Sequence, residues 1–247
     1  MNQPVANPTA AVLIIGNEIL SGRVNDENLP FIAKRLADTG IDLKEVRMVR
    51  DEEPAIIEAV RYLSKTYTYL FTTGGIGPTH DDITVGAIAA AVNQPIERNA
   101  EVVEKLKLAA GSRTTEATFK MADYPANARL VPNGATAAPG AIVNNIIVLA
   151  GIPRIMQAMF EAALPLLVQG TPTHTLSVDI WLSESQIAAG LTAIQQRFPT
   201  LDIGSYPYKI DGRHGTALVA RGTDQPLVAA AFGAIQKLVD DLGGERR

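Results

Sequence analysis

The chain begins its patterned part with a continuous apolar run, residues 11–16 (Ala-Val-Leu-Ile-Ile-Gly). A run with no polar alternation predicts a strand buried on both faces. Apolar positions then recur at Leu29, Ile32, Ala33, Leu36 and Ala37, the spacing of an amphipathic helix. Asn28 stands where its N-cap belongs, Pro30 falls in the first turn and Gly40 follows its end. A strand over residues 43–49 leads to Asp51, and a helix with Ile56, Ile57, Val60 and Leu63 on one face follows. The next strand, 67–73, stops at Gly74-Gly75, and a helix begins near Thr84. This alternation with short connections predicts an α/β domain, a parallel sheet covered by helices.

Residues 99–122 read as helical twice over, broken at Gly111-Ser112. Strands are expected at 130–131 and 143–149, separated by the turn-rich Pro132-Asn133-Gly134 and Pro139-Gly140. A helix over 153–168 is bent or ended at Pro165, and Gly170-Thr171-Pro172-Thr173 reads as a linker. Beyond it the period changes. Leu176, Val178, Ile180 and Leu182 alternate with Ser177, Asp179 and Trp181, as a half-exposed strand does. Ser183 and Gln186 form a capping-box start for a helix through Arg197. Strands at 201–209 and 216–220 and a helix over 227–242 complete a βαββα pattern. The expected organisation is a domain over 1–170 and a small two-layer α/β domain over 171–247.

Composition narrows the chemistry. Among 247 residues there is no cysteine, which excludes disulfides, thiolate nucleophiles and Cys-ligated metals. Twenty-two Lys and Arg against 26 Asp and Glu give a net charge of −4, which argues against a nucleic-acid partner. No apolar stretch approaches the ~18 residues of a membrane span. The first ten residues lack the basic region of a signal peptide, so a cytoplasmic location is the expectation. Carboxylates, hydroxyls and backbone amides remain as tools.

In an open α/β sheet, ligands bind beyond the carboxyl ends of the strands. Four clusters fall at that edge: Gly16-Asn17-Glu18, Asp51, the segment from Gly74 to Asp82, and Gly151-Ile152-Pro153. In Thr72-Thr73-Gly74-Gly75-Ile76-Gly77-Pro78-Thr79-His80-Asp81-Asp82-Ile83-Thr84, three glycines at a strand-to-helix turn let backbone N–H groups approach an anion closely. The same residues also read as a glycine turn with a capped helix, and residue types alone leave both readings open. The segment is neither a dinucleotide fingerprint nor a Walker loop. If Glu18 and Asp51 lie near the adjacent Asp81 and Asp82, the cluster makes a hard-oxygen site for Mg²⁺ or a similar divalent ion. Taken singly, Glu18 and Asp51 read as ordinary solvated or helix-start charges. His80 is a loop histidine, and His174 and His214 have no partner motif.

Together, Gly16-Asn17-Glu18-Ile19-Leu20-Ser21-Gly22, Asp26-Glu27-Asn28, the motif from Gly74 to Thr84, Ala138-Pro139-Gly140 and Ala150-Gly151-Ile152-Pro153 resemble the MoaB/Mog molybdopterin-binding domain family. The resemblance is to its CinA-like (competence/damage-inducible protein A) branch, and also to the N-terminal domain of eukaryotic FAD synthases. It covers roughly residues 10–168, and the remaining segment is similar to the small domain that follows in CinA-like proteins.

The resemblance implies a three-layer α/β/α fold with a mostly parallel sheet and a pocket for a phosphorylated small molecule, a nucleotide or a pterin. It implies functional acids at Asp51 and Asp82, supported by Asp81, and a metal (Mg²⁺, Mn²⁺ or Co²⁺) held by Glu18, Asp51 and Asp82. Ligand contacts are expected at Gly16, Glu18, Asn28, Gly74, Gly75, Gly77, Pro78, Thr79, Thr84, Gly151 and Pro153. Relatives hydrolyse the pyrophosphate of ADP-ribose or FAD, so a metal-dependent nucleotide pyrophosphatase is the expected activity. A molybdopterin-binding protein without hydrolysis is the alternative. A homo-oligomer is expected, dimer before trimer, with no membrane and no nucleic-acid partner. Asn17 replaces the acid or threonine of relatives, Asp26-Glu27-Asn28 matches the FAD-synthase version, and no nicotinamide mononucleotide amidase domain is expected.

Overall fold

A computed structural model describes residues 6–247. Residues 1–5, part of the stretch compared above with a signal peptide, lie outside the described residues. The chain divides into two compact units, Met1–Gly170 and Thr171–Arg247.

The first unit runs β1 (Thr9–Ile15), a single turn α1 (Asn17–Leu20), α2 (Asn28–Asp38), β2 (Asp42–Val49), α3 (Glu53–Thr66), β3 (Tyr69–Thr73) and α4 (Thr84–Ala91). There follow β4 (Ile96–Arg98), α5 (Ala100–Ala110), α6 (Glu116–Lys120), β5 (Asp123–Pro125), β6 (Arg129–Val131), β7 (Gly140–Val143), β8 (Ile146–Leu149) and α7 (Pro153–Ala163). Six strands form one sheet in the order β2-β1-β3-β8-β7-β6. The β2-β1, β1-β3 and β3-β8 pairs are parallel, and β8-β7 and β7-β6 are antiparallel.

Central strands of this sheet are buried on both faces, which is why they read as unbroken apolar runs. Ala11, Leu13, Leu70 and Val148 meet α3 and α4 through Ile56, Val60, Leu63 and Ile88. Val12, Ile14, Phe71 and Ile147 meet α2 and α7 through Ile32, Leu36, Met156 and Phe160. The result is the expected three-layer α/β/α arrangement.

Three details differ from the sequence reading. Residues 143–149 are not one strand: Val143 ends β7, the chain turns at Asn144 with φ 54, and 146–149 form β8 of the same hairpin. Asparagine tolerates that left-handed conformation better than other side chains. Asn28 does not cap α2. Asp26 does, accepting the Leu29 N–H at 2.7 Å. The short pair β4-β5 also went unpredicted, because all three β4 residues are exposed and carry no hydrophobic period.

In the second unit β9 (His174–Ile180), α8 (Glu184–Arg197), β10 (Asp202–Ile210), β11 (Arg213–Gly222) and α9 (Gln225–Asp241) follow the expected βαββα order. The antiparallel sheet runs β10-β11-β9, and Ile187, Leu191, Ile235 and Val239 of the two helices cover one face. Gln186 accepts the Ser183 N–H at 2.9 Å, completing the capping box. Asp211 and Gly212, both at positive φ, close the β10-β11 hairpin as a two-residue turn requires. Among the described residues no helix is long and apolar enough to cross a membrane.

Candidate functional site

The parallel pairing brings the carboxyl ends of β1, β2, β3 and β8 to one edge, and backbone contacts lock that edge together. Gly74 follows β3 at φ +95, and a Cβ there would lie 2.1 Å from the Ile15 carbonyl oxygen. Only glycine permits this approach. Gly151, after β8, is in turn so near Gly74 that its own Cβ would lie 3.3 Å from the Gly74 Cα. Asn28, buried at the start of α2, donates from Nδ2 to the Gly151 carbonyl at 2.8 Å. Thus Ile15, Gly74, Gly151 and Asn28, distant along the chain, form one continuous contact.

Beyond Gly74 the loop folds against the start of α4. Gly75, at φ +65, would place a Cβ 2.2 Å from Thr84 Oγ1, and its carbonyl accepts the Thr84 N–H at 3.0 Å. Three oxygens around this turn are buried and find no partner within the protein: Asn28 Oδ1, Thr72 Oγ1 and Thr84 Oγ1. An unmet buried polar group costs about 1–3 kcal/mol, so three at one turn are a strong mark of a place built to receive something polar.

The acids lie on the outer side of the loop. Thr79 donates its N–H to Asp82 Oδ2 at 2.8 Å, and its hydroxyl lies 2.6 Å from Asp81 Oδ1 and 2.5 Å from Asp82 Oδ2. One hydroxyl proton serves two carboxylates, so each has it only part of the time. The Thr79 hydroxyl, more than any other group, holds the Asp81 carboxyl below its ordinary range. Lys120 on α6 donates to the Thr79 carbonyl at 2.6 Å and brings a cation to the acidic turn. Gly77 packs on the Asp82 carboxylate, where a Cβ would stand 2.6 Å from Oδ2. Gly77, Asp82, Lys120 and Asp123 line a cavity of about 180 Å³. That is below the ~300–1,000 Å³ of a ligand pocket, so a small molecule bound there would extend over the open edge.

Asp51 Oδ2 accepts the Asn17 N–H at 2.8 Å, fixing this acid at the start of α1. Glu18 folds back on Gly16, whose Cβ would lie 2.7 Å from Glu18 Oε1. Pro78 is exposed on the loop, and Pro153 is the first residue of α7. Among the described residues no three acids or histidines are gathered closely enough to hold a metal ion on their own. The expected trio of Glu18, Asp51 and Asp82 is therefore not a preformed cage, because Glu18 and Asp51 are drawn to the Gly16–Asn17 turn and Asp82 to Thr79. Thr72 and Lys120 were missed as site residues. Thr72 is polar inside an apolar strand, a readable signal, whereas Lys120 reaches the loop from an unrelated helix and has none.

A cavity of about 730 Å³ lies elsewhere, bordered by Glu101, Lys105, Leu108, Asn133 and Thr136, and includes none of the loop residues. It has the size of a pocket, but Glu101 and Lys105 there pair with each other at 2.7 Å. The glycine edge carries the unmet groups, and it is the candidate site.

Comparison with known proteins matches each of the two units to a known family. Residues 11–169 match the model of the probable molybdopterin binding domain, and residues 172–242 match the FAD synthase middle domain. A protein of Archaeoglobus fulgidus is 33% identical over 231 residues, 93% of this chain and 97% of that one. A CinA-like protein of Synechococcus is 35% identical over 70% of this chain, which spans only 44% of that relative. The crystal structure of CinA from Thermoplasma acidophilum is 29% identical, with a TM-score of 0.62, and covers 66% of this chain and all of its own. The chain thus belongs to the probable molybdopterin-binding domain family, in a CinA-like form that carries a unit of the FAD synthase middle-domain type.

Proposed function

We propose that the first unit binds a phosphorylated heterocycle at the glycine edge and hydrolyses the pyrophosphate bond of an ADP-ribose- or FAD-like substrate. The observation that carries this reading is the pair of unpartnered hydroxyls, on Thr72 and Thr84, at the Gly74-Gly75 turn. The threonine hydroxyls have protons to donate, and a phosphate has oxygens to accept them. Gly74, Gly75 and Gly77 keep side chains out of the way. Asp82 and Asp51, each with one oxygen already hydrogen-bonded, are the acids assigned to take the proton of the attacking water. Asp81 and Glu18 support them, and Lys120 offsets negative charge at the loop. The donor set is of the hard-oxygen kind that Mg²⁺, Mn²⁺ or Co²⁺ takes, but it is not gathered into a cage. Asp51 or Asp82 would hold such an ion together with the substrate's phosphates, whose charge it would neutralise.

The test is turnover of ADP-ribose and FAD by the purified chain with each of the three ions and with chelator. We expect turnover of at least one substrate, lowered about 100-fold or more in kcat by Asp82→Asn and impaired mainly in KM by Thr84→Val. Turnover unchanged in Asp82→Asn refutes the assigned chemistry. A second reading, pterin binding without hydrolysis, is favoured by the matched family's description. Saturable molybdopterin binding with no dinucleotide turnover would select it.

A further inference from the structure

Eight lysines lie along the chain, and Lys120 alone among them is partly buried. Lysines drawn out of water are ordinarily paired with a carboxylate. Even the exposed Lys34, Lys44, Lys105, Lys107 and Lys237 have such a partner. Among the described residues no carboxylate stands at ion-pair distance from Lys120. Its ammonium donates one hydrogen bond, to the Thr79 carbonyl at 2.6 Å, and two of its N–H groups remain unused.

The segment between α4 and β6 holds this group in place. Arg98 on β4 forks onto Asp123 of β5 at 2.7 and 3.0 Å and also pairs with Glu116, the first residue of α6. Glu116 and Asp123 stand on either side of Lys120 in sequence, so one guanidinium fixes both ends of the short helix that carries it. Both Asp123 oxygens are taken by Arg98, which leaves that acid committed. Of the residues lining the 180 Å³ cavity with Gly77 and Asp82, Lys120 is the one cation. Asp82 accepts from Thr79 through Oδ2, and Thr84, with its unpartnered buried hydroxyl, lies two residues further on. Two sets of donors therefore border one acid along this loop: the Thr72 and Thr84 hydroxyls at the Gly75 turn, and the Lys120 ammonium beside Thr79.

We propose that Lys120 binds a phosphate of the ligand, and that with the Thr72 and Thr84 hydroxyls it makes the glycine edge a site for two linked phosphates rather than one. The inference rests on the reading that this edge is the binding site, and it is independent of hydrolysis. A single phosphate engages one donor set, whereas a diphosphate reaches both. The Asp82 carboxylate repels an anion at the same cavity, and only a charged donor offsets that repulsion. An ammonium does so while forming hydrogen bonds to phosphate about twice as strong as those of a neutral donor.

The test is isothermal titration calorimetry of the full chain with inorganic pyrophosphate and with inorganic phosphate, in Mg²⁺ and again in chelator. The wild type is expected to bind pyrophosphate at least about tenfold more tightly than phosphate, and Lys120→Met to lose about tenfold or more of the pyrophosphate affinity. Lys120→Gln separates the two roles open to this side chain, because its amide still donates to the Thr79 carbonyl but carries no charge. It is expected to lose binding as Lys120→Met does, while Lys120→Arg keeps most of the affinity. Lys237→Met makes the same charge change on α9 of the second unit and leaves binding unchanged. Circular dichroism confirms that each variant is folded. Lys120→Gln binding pyrophosphate as tightly as the wild type, an equal loss in Lys237→Met, or a wild type that in neither condition prefers pyrophosphate to phosphate overturns the inference. Dinucleotide turnover is measured separately, and its absence from a wild type with Lys120-dependent pyrophosphate binding defeats the hydrolytic reading alone.

Discussion

Replacing Gly74 with alanine tests the central claim about the site, that backbone meets backbone where a side chain has no room. Two costs combine. The left-handed φ of +95 costs a side-chain-bearing residue about 1–2 kcal/mol. The new Cβ, 2.1 Å from the Ile15 carbonyl oxygen, must also push apart two strand ends, an overpacking of about 1–3 kcal/mol. Ile15 is buried in the core and yields little. The sum is a loss of about 2–5 kcal/mol. Gly86 is the control, because within α4 its added Cβ meets no atom within 4 Å. Gly86→Ala should therefore stabilise the protein by about 0.5–1 kcal/mol. Urea denaturation followed by far-ultraviolet circular dichroism reads both variants. Trp181, the one tryptophan, lies in the second unit, so its fluorescence reports that unit's transition separately. A Gly74→Ala midpoint at or above the wild-type value would refute the reasoning.

Two further outcomes follow from contacts away from the loop. Asn145 Nδ2 donates to the carbonyls of Ser64, Tyr67 and Thr68 at 2.8–3.2 Å, so Asn145→Ala should cost about 1–3 kcal/mol in urea denaturation through unmet carbonyls. Arg35 and Glu161 clasp α2 to α7 through two hydrogen bonds at 2.5 and 3.0 Å, and this contact holds the Glu161 carboxyl below its ordinary range. A depressed carboxylate contributes above its unfolded pKa of about 4.3 and loses that contribution as pH falls through the lower folded value. With both side chains partly exposed, a double-mutant cycle of Arg35→Ala and Glu161→Gln should give a coupling of about 0.2–1 kcal/mol at neutral pH. That coupling should vanish in acid, and one that grew on acidification would contradict the assignment.

The layers, the parallel edge and the place of the glycine loop were legible because both-face burial and helical period leave plain marks. Residues 11–15 are apolar throughout for that reason, and 70–71 carry the same mark before the buried Thr72 and Thr73. The hairpin inside 143–149 was hidden, since Asn144-Asn145 is a turn by backbone conformation within an otherwise apolar run. Asn28 has the residue type of a cap, but its amide is used across the sheet edge on Gly151, and Asp26 takes the capping role. Glu18, Asp51 and Asp82 all follow carboxyl ends of strands, yet they do not gather into one cluster. Their mutual spacing depends on which local N–H each carboxylate accepts, and Thr79 and Asn17 decide that. No residue pattern encodes it.

The β3-β8 pairing joins Leu70 to Ile146, 76 positions apart (146 − 70). Closing such a loop costs about 4 kcal/mol in chain entropy from its length alone, and that cost falls before the pair's contacts are gained. The β10-β11 hairpin, by contrast, closes through Asp211 and Gly212. The second unit's sheet can thus begin from a local turn. In the first unit the β7-β8 hairpin is equally local, but the β3-β8 pair waits for the whole excursion from α4 through β7 to return, and the Gly74–Gly151 contact forms only when it does. On this chain-entropy argument the glycine edge is among the last parts of the first unit to be completed.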